Sequence, residues 1–258
     1  SQTARQMTRR ALTIVPTRDG KAYYCDGNGE FWRTFVFVER VQSFESVQTP
    51  TQACEAGRAF GEFQALVADL PGERLHETIP DFHNTRKRFE TLKRAIEEDH
   101  CNRAQCAARE IEFALDQESW IDTLLKAHSA GEVPERITHN DTKFNNVMLD
   151  VETGRAMCVV DLDTVMPGLV HYDFGDMVRT TTSPTLEDEK DLSKVVMQMP
   201  MFEALAQGYM KAVEGFCTPA ERRYLAFSGK LITYTIGIRF LADYLMGDNY
   251  FRVHRPDH

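Results

Sequence analysis

The chain has 258 residues, of which 42% are hydrophobic and 27% are charged, a composition typical of a folded, water-soluble protein with its own core. Its formal net charge of -9 argues against a nucleic-acid-binding protein, which normally presents a basic face. No run approaches the ~20 apolar residues of a membrane-spanning helix, and the first residues lack the pattern of a signal peptide. We therefore expect neither a nucleic-acid partner nor a membrane partner.

The six cysteines are scattered without a CxxC pair, which argues against a zinc site. Several lie inside apolar runs, such as Cys158 in AMCVVD, and this placement predicts buried free thiols. Free thiols indicate a reducing, cytoplasmic setting.

Residues 11–41 have the pattern of β-strands. The turns RDG and DGNG separate three apolar segments, which predicts a three-stranded meander from about Ala11 to Glu39. After Pro50 the pattern becomes helical, because apolar residues recur at three- and four-residue steps. The residues on this stripe are Ala53, Ala56, Phe60, Phe63, Val67 and Leu70.

The rest of the chain is predicted to be mainly helical. A loop rich in Pro and Gly precedes a helix that carries Phe89, Leu92 and Ile96 on one face. A second helix is predicted from about Arg103 to His128. An acidic loop, SPTLEDEKDLSK, leads to two final helices at 201–215 and 221–246, with Pro219 as a start signal for the second. Strands followed by helices predict an α+β fold with two lobes.

Asn146 and Asp161 lie at the ends of two short apolar segments that flank the turn VETG. Because Gly154 supplies a turn at the midpoint, the segments are predicted to form a β-hairpin with Asn146 and Asp161 opposite each other at its open end. An amide oxygen and a carboxylate are the hard ligands that Mg²⁺ prefers. The pattern therefore predicts a magnesium site, although turn formation and strand capping are the alternatives for each residue.

Asp141 lies on the loop that leads into this hairpin, where a carboxylate can orient a substrate hydroxyl. His139, Asp141 and Asn146 have the H-x-D-x-x-x-x-N spacing of the catalytic loop of protein kinases. Lys143 is either a phosphate contact or a loop cation. Asp163 is either a second metal contact or an outward-facing strand residue.

The segment HYDFGD contains a DFG triplet, but the hairpin already supplies a metal-binding carboxylate at Asp161. We therefore interpret Asp173 as an acceptor that fixes the catalytic loop, or as a helix cap.

The motifs THNDTKFNNVMLD, VVDLDT and YDFGD resemble those of the aminoglycoside/choline-kinase-type phosphotransferase superfamily. Within that superfamily, PDFHNT, HNDTKFNN, DLDTVMPGLVHYDFGD and GIRFLADYL are similar to segments of bacterial N-acetylhexosamine 1-kinases. The resemblance extends from about Thr8 to the end of the chain.

This resemblance implies a protein-kinase-like fold. Residues 1–41 would form a partial, β-rich amino-terminal lobe, and residues 42–258 a mainly helical carboxy-terminal lobe that carries the catalytic-loop hairpin. It also implies transfer of the ATP γ-phosphate, with Mg²⁺, to the anomeric hydroxyl of N-acetylglucosamine or N-acetylgalactosamine. Sugar and ATP would be the small-molecule partners, and no oligomeric state follows.

By the same resemblance, Asp141 matches the catalytic base, and Asn146 and Asp161 match the magnesium ligands. Adenine would lie beside the hinge residues Glu39, Arg40 and Val41. Sugar contacts would come from the carboxy-terminal helices and a preceding loop, and the candidates are Arg239, Tyr250, His83 and Asn84. For Arg239 the alternative is an ion pair with Asp243 at i+4, and for His83 and Asn84 it is ordering of their own loop.

The chain departs from the family in one respect. Before Ala11 the sequence has no glycine-rich phosphate loop and no strand lysine, so we expect only part of the amino-terminal lobe. Two other functions stay open: a kinase for an aminoglycoside, choline or amino-alcohol, and a non-catalytic module that binds sugar or nucleotide.

Overall fold

The computed structural model describes residues 11–253, which contain seven α-helices and seven short β-strands. Residues 1–10 of the predicted amino-terminal lobe and residues 254–258 of the predicted carboxy-terminal lobe lie outside the described residues. The mixed α+β class is confirmed, with the strands concentrated before residue 43 and around the predicted hairpin. None of the helices within residues 11–253 combines the length and apolar character that crossing a bilayer requires.

The amino-terminal strands form an exposed ribbon rather than the predicted meander. Strands β1 (Tyr24–Cys25) and β2 (Phe31–Trp32) pair antiparallel around the DGNG turn. Ile14, however, lies opposite Phe35, so the first apolar segment pairs with the third. The RDG turn closes locally through hydrogen bonds between residues 17 and 21, and the ladder does not extend from it.

Helices α1 (Pro50–Val67) and α6 (Met199–Ala212) cross so closely that their backbones touch. A Cβ atom added to Gly57 would lie 2.2 Å from the Leu205 carbonyl oxygen, and one added to Gly208 would lie 2.0 Å from that of Cys54. The predicted apolar stripe of α1 buries Ala53, Ala56 and Phe60 in this core. Leu70, which the sequence placed on the same stripe, lies beyond the helix and is exposed.

Helix α7 (Pro219–Met246) is the longest helix in the described chain, and it packs against α2 (Thr85–Glu98) and α5 (Val170–Thr181). Its start follows from the sequence: Pro219 occupies the first turn, and Thr218 and Glu221 form a capping box. The predicted start at Glu221 is therefore two residues late.

The single helix predicted at 103–128 is wrong. The structure has α3 (Ala108–Asp116) and α4 (Thr123–Ser129), joined by a 3-10 turn that contains Trp120. The break turns the Trp120 ring onto α7, where it lies 5.1 Å from the Tyr234 ring. It also places Asp122 against Arg86 of α2, with 2.7 Å between their charged atoms.

The predicted β-hairpin is confirmed as β5 (Val147–Asp150) and β6 (Ala156–Val159). Strand β3 (Val41–Gln42) joins the free side of β5. At the other edge, the Ala156 N–H donates to Glu55 of α1 at 2.6 Å and Arg58 donates to the Ala156 carbonyl at 2.9 Å. A further pair of strands, β4 at 136–138 and β7 at 166–168, was not predicted.

The helix crossing predicts opposite effects for two Gly→Ala substitutions. Gly208→Ala should lower the free energy of unfolding by roughly 1–3 kcal/mol, because its methyl group collides with the α1 backbone. Gly237→Ala in α7 should raise it by roughly 0.5–1 kcal/mol, because no atom lies within 4 Å of the added carbon and Ala favours helix. Urea unfolding measures both; equal effects would contradict the packing.

Candidate active site

The loop between β4 and β5 is fixed by the carboxylate of Asp173, which is fully buried. Its two oxygens accept hydrogen bonds from the backbone N–H groups of His139 at 2.9 Å and Asn140 at 2.7 Å. Gln64 of α1 donates a third at 2.7 Å. Burial raises the pKa of Asp173, while the three donors favour its charged form. Because α5 begins at Val170, Asp173 lies inside the helix, and the helix-cap alternative is wrong.

Asn140 turns the chain at the centre of this loop. Its backbone is left-handed, with φ of 67°, and its side chain donates to the carbonyl of Thr164 at 2.9 Å. A ring nitrogen of His83 lies 2.9 Å from the Asn140 carbonyl oxygen. Contacts with Asp173, Thr164 and His83 therefore fix Asn140, the residue before Asp141.

Asp141 follows this turn and meets Asn146 directly. The amide of Asn146 donates to the Asp141 carboxylate at 3.2 Å and to its backbone carbonyl at 2.9 Å. The ammonium of Lys143 lies 3.6 Å from the same carboxylate. Burial raises the pKa of Asp141, and Lys143 opposes that rise. The side chain remains 28% exposed, so a substrate can reach it.

Asp161 lies at the open end of the hairpin, close to Asn146 along the ladder. The N–H of Val160 donates to the Asn146 carbonyl at 2.9 Å, so Asn146 faces Val160 and not Asp161. The predicted register is off by one residue, because the turn closes earlier than predicted, with Asp150 opposite Arg155, and the shift between Met148 and Leu149 recovers only part of the difference. Asp161 then begins a 3-10 turn in the left-handed conformation, with φ of 58°.

The donor set suits a magnesium ion. Asn146 uses its amide N–H₂ on Asp141, which leaves its amide oxygen for a cation. Within residues 11–253, Asp161 is exposed and makes no side-chain hydrogen bond or ion pair. Both oxygens are hard ligands of the kind that Mg²⁺ prefers. No cluster of three or more His, Cys, Asp or Glu that could hold a metal occurs in this part of the chain.

Asp163 forms an ion pair with Arg33 of the amino-terminal ribbon. This ion pair joins the ribbon to the segment that follows the hairpin. The two predicted alternatives for Asp163, a second metal contact and an outward-facing strand residue, did not include such a pairing.

The predicted hinge residues run alongside the hairpin turn. Val41 of β3 lies opposite Asp150, and the carbonyl of Arg40 accepts the N–H of Val151 at 3.1 Å. Arg40 has a left-handed φ of 59° and pairs with Glu152, while the neighbouring Glu39 is exposed. The hinge residues 39–41, called the linker below, are separated from Asn146 by the four-residue length of β5, about 13 Å.

Arg239 of α7 lies among aromatic rings. Its guanidinium carbon is 4.8 Å from the ring centre of Phe82, 5.4 Å from that of Phe251 and 5.6 Å from that of Tyr250. The alternative ion pair with Asp243 is wrong, because the Asp243 carboxylate accepts backbone N–H groups from 249–251.

The other two candidates order their own surroundings. Asn84 caps α2 by accepting the N–H of Lys87 at 3.2 Å. His83 is buried and lines a cavity of about 210 Å³ together with Asn140 and Tyr172.

Sequence reasoning missed several residues that shape this site. Gln64 lies in the apolar face of α1, and its side-chain amide oxygen accepts a hydrogen bond from the Tyr209 hydroxyl at 2.7 Å. Asp176 accepts the Thr142 N–H at 3.0 Å and pairs with Arg179. Although burial opposes it, Arg179 lowers the pKa of Asp176. A buried Gln on a helix face and a second Asp in HYDFGD are the signals that point to them.

A model described as the phosphotransferase enzyme family (APH) matches residues 11–216, and the chain belongs to this family. Among solved structures, an aminoglycoside phosphotransferase from Alicyclobacillus acidocaldarius superposes with a TM-score of 0.56 at 11% identity, covering 95% of this chain and 70% of that chain. A choline kinase from Cryptosporidium parvum superposes with a TM-score of 0.50 at 11% identity, covering 95% of this chain and 71% of that chain.

The superfamily resemblance and the fold class predicted from it are therefore confirmed. At these identities the two structures show a shared fold. The narrower resemblance to N-acetylhexosamine 1-kinases and the role of each site residue remain proposals.

The burial of His83 predicts a pH-dependent stability. Burial lowers the pKa of His83 from 6.5 to about 4, so the folded state binds this proton less readily than the unfolded chain does. Its contribution is complete above pH 6.5 and is lost as the pH falls towards 4; the pKa difference corresponds to roughly 3 kcal/mol. Urea unfolding of His83→Gln from pH 7 to 4 should show a flatter profile than the parent.

The matched control is His100→Gln, which removes an exposed imidazole. The change in profile caused by His83→Gln should exceed the change caused by His100→Gln. A His83→Gln profile as steep as the parent's would mean that His83 does not titrate as its burial requires.

Proposed function

We propose that this protein transfers the γ-phosphate of ATP to a hydroxyl of a small molecule, and that the acceptor is the anomeric hydroxyl of an N-acetylhexosamine. The observation that carries the proposal is the hydrogen bond from the Asn146 amide to the Asp141 carboxylate, at 3.2 Å. It joins the predicted base and a predicted metal ligand in one rigid unit. Membership in the phosphotransferase family supports the reaction class.

Asp141 is the residue that accepts and orients the acceptor hydroxyl. Its carboxylate is partly buried beside Lys143, and the loop around it is braced through Asp173 and Asn140. His139 contributes through position: its ring contacts the Val160 carbonyl at 2.9 Å and so ties the loop to the hairpin. Such a fixed carboxylate lowers the barrier by holding the hydroxyl in line for attack.

Asn146 and Asp161 are the residues that would hold Mg²⁺. When bound there, Mg²⁺ neutralises charge on the phosphate oxygens. Lys143 lies close enough to Asp141 to contact a phosphate as well. The linker at Glu39, Arg40 and Val41 is the place we assign to adenine, at the other end of β5 from Asn146.

The acceptor would lie beside Asp141, on the side of the carboxy-terminal helices. Arg239 and Tyr250 are the candidate contacts, and Tyr250 is 65% exposed. We assign His83 and Asn84 to the alternative role of ordering their loop, since His83 is buried against Asn140 and Asn84 caps α2. A neutral sugar suits a site that offers aromatic rings and a guanidinium group.

The second candidate is the same reaction on a cationic acceptor. It is favoured by the two structural relatives, one named for aminoglycosides and the other for choline. An ADP-release assay across N-acetylhexosamines, an aminoglycoside, choline and an amino-alcohol separates the two candidates. A module that binds sugar or nucleotide without turnover would release no ADP with any of them.

Asp141→Asn should lower kcat by roughly 10²–10⁴, because the amide cannot accept the hydroxyl proton. The matched control is Asp163→Asn, which removes a carboxylate from the same region that pairs with Arg33 instead. Far-ultraviolet circular dichroism should be unchanged in both variants. An Asp141→Asn turnover within tenfold of the parent would remove Asp141 from the proposed role.

Asp161→Asn should raise the Mg²⁺ concentration needed for half-maximal activity by at least about tenfold, since the site loses its one full negative charge. Titration with Mn²⁺, followed by electron paramagnetic resonance, measures the same loss without turnover. An unchanged Mn²⁺ affinity would place the metal elsewhere.

A further inference from the structure

Two guanidinium groups meet the same aromatic residue beside the candidate active site. Arg88 of α2 donates from Nε to the Phe82 carbonyl at 3.2 Å. Arg239 of α7 lies over the Phe82 ring at 4.8 Å. Phe82 is followed by His83, which contacts the Asn140 carbonyl next to Asp141. The pair is thus connected to the catalytic loop through one short segment.

Neither Arg88 nor Arg239 forms an ion pair with a carboxylate among residues 11–253, which sets them apart from the other partly buried arginines. Each of those pairs with at least one acidic side chain: Arg103 pairs with Asp248, and Arg136 pairs with Glu221. The other three have two acidic partners each: Arg58 with Glu55 and Glu62, Arg86 with Glu118 and Asp122, and Arg179 with Asp176 and Glu187. Two cations are therefore held close together without a counterion.

No carboxylate pairs with either group in the described chain; the main favourable contact is the Tyr250 side chain, which hydrogen-bonds Arg239 and also acts on Arg88. Asp81 is exposed and acts on Arg88 only at a distance, and it is bonded to Asn84. Asp176 acts on Arg239 but is already paired with Arg179. Burial lowers the pKa of Arg88; burial and the neighbouring Arg88 lower that of Arg239. An uncompensated, partly desolvated pair of this kind favours an electron-rich partner.

We propose that Arg88 and Arg239 bind an acyl oxygen on the acceptor, so that Arg88 is a residue that determines specificity. Guanidinium groups donate in a planar fork that matches a carbonyl or carboxylate oxygen, and they repel an ammonium group. The oxygen comes either from the acetamido group of an N-acetylhexosamine or from the carboxylate of a hexuronic acid. The inference rests on the proposed function, since it gives the substrate class of that site.

Binding distinguishes these acceptors without turnover. Isothermal titration calorimetry at pH 6.5 would compare N-acetylglucosamine, glucuronate and glucosamine, whose amine is protonated. The parent should bind at least one of the acyl-bearing sugars tenfold or more tightly than glucosamine, and the tighter of the two identifies the oxygen source. Arg88→Gln should reduce that preference to less than about threefold.

Two further variants separate a specific effect from loss of structure. Arg88→Lys keeps the charge but loses the fork, so it should retain the rejection of glucosamine while binding the acyl-bearing sugar more weakly. Arg109→Gln, which removes an exposed arginine from α3, should bind all three sugars as the parent does. In kinetics, Arg88→Gln should raise KM for the acyl-bearing sugar and leave kcat within about twofold.

The two proposals fail in different ways. Selective binding of an acyl-bearing sugar without ADP release would overturn the sugar-kinase function and leave the role of Arg88 standing. Equal or tighter binding of glucosamine, an equal effect of Arg88→Gln on all three sugars, or binding of none of them would overturn the role of Arg88. Turnover with Asp141 intact would then still support a kinase for another acceptor.

Discussion

The position of the catalytic loop depends on one buried carboxylate. Asp173 accepts two successive backbone N–H groups of that loop, and without those donors its charge would be costly to bury. The same donors would lack partners without Asp173. Because both sides of this interaction are buried, each enforces the geometry of the other. The hydrogen bonds of Asp173 therefore fix the positions of Asp141 and Asn146.

The network extends away from the loop into the helical core. Tyr209 of α6 donates to Gln64 of α1, and Gln64 donates to Asp173 of α5. The close crossing of α1 and α6 at Gly57 and Gly208 sets the distance across which this chain of hydrogen bonds must reach. The helix crossing and the catalytic loop are therefore connected by hydrogen bonds through three side chains, Tyr209, Gln64 and Asp173.

Local patterns predicted the parts of the structure that local physics determines. The stripe of α1, the capping signals of α7 and the turn at Gly154 are each specified by neighbouring residues. Where contacts between segments distant in the chain determine the structure, the sequence patterns did not predict it. The break near Trp120 exists because α7 and Arg86 offer contacts to it, and the ribbon pairing of Ile14 with Phe35 joins residues 21 positions apart.

The site shows the same division. The spacing of Asp141 and Asn146 within one loop was enough to predict that they act together, and the structure brings them into contact. The one-residue offset at Asp161 is the net result of where the turn closes and of a bulge inside the hairpin, and alternating hydrophobicity reveals neither of them. The sequence analysis did not identify Arg88, because its distinguishing feature is that it forms no ion pair with a carboxylate among residues 11–253. Only a full set of contacts distinguishes it from the partly buried arginines that pair with carboxylates.

The attachment of Ala156 to α1 has a consequence for how molecules of this protein behave in concentrated solution. The outer edge of the three-stranded sheet begins at a residue whose N–H and carbonyl are both occupied by Glu55 and Arg58. An approaching strand from another molecule finds no free backbone pair there to extend the ladder. A charged pair of side chains thus hinders edge-to-edge pairing at the first residue of β6, in the sheet whose middle strand follows Asn146.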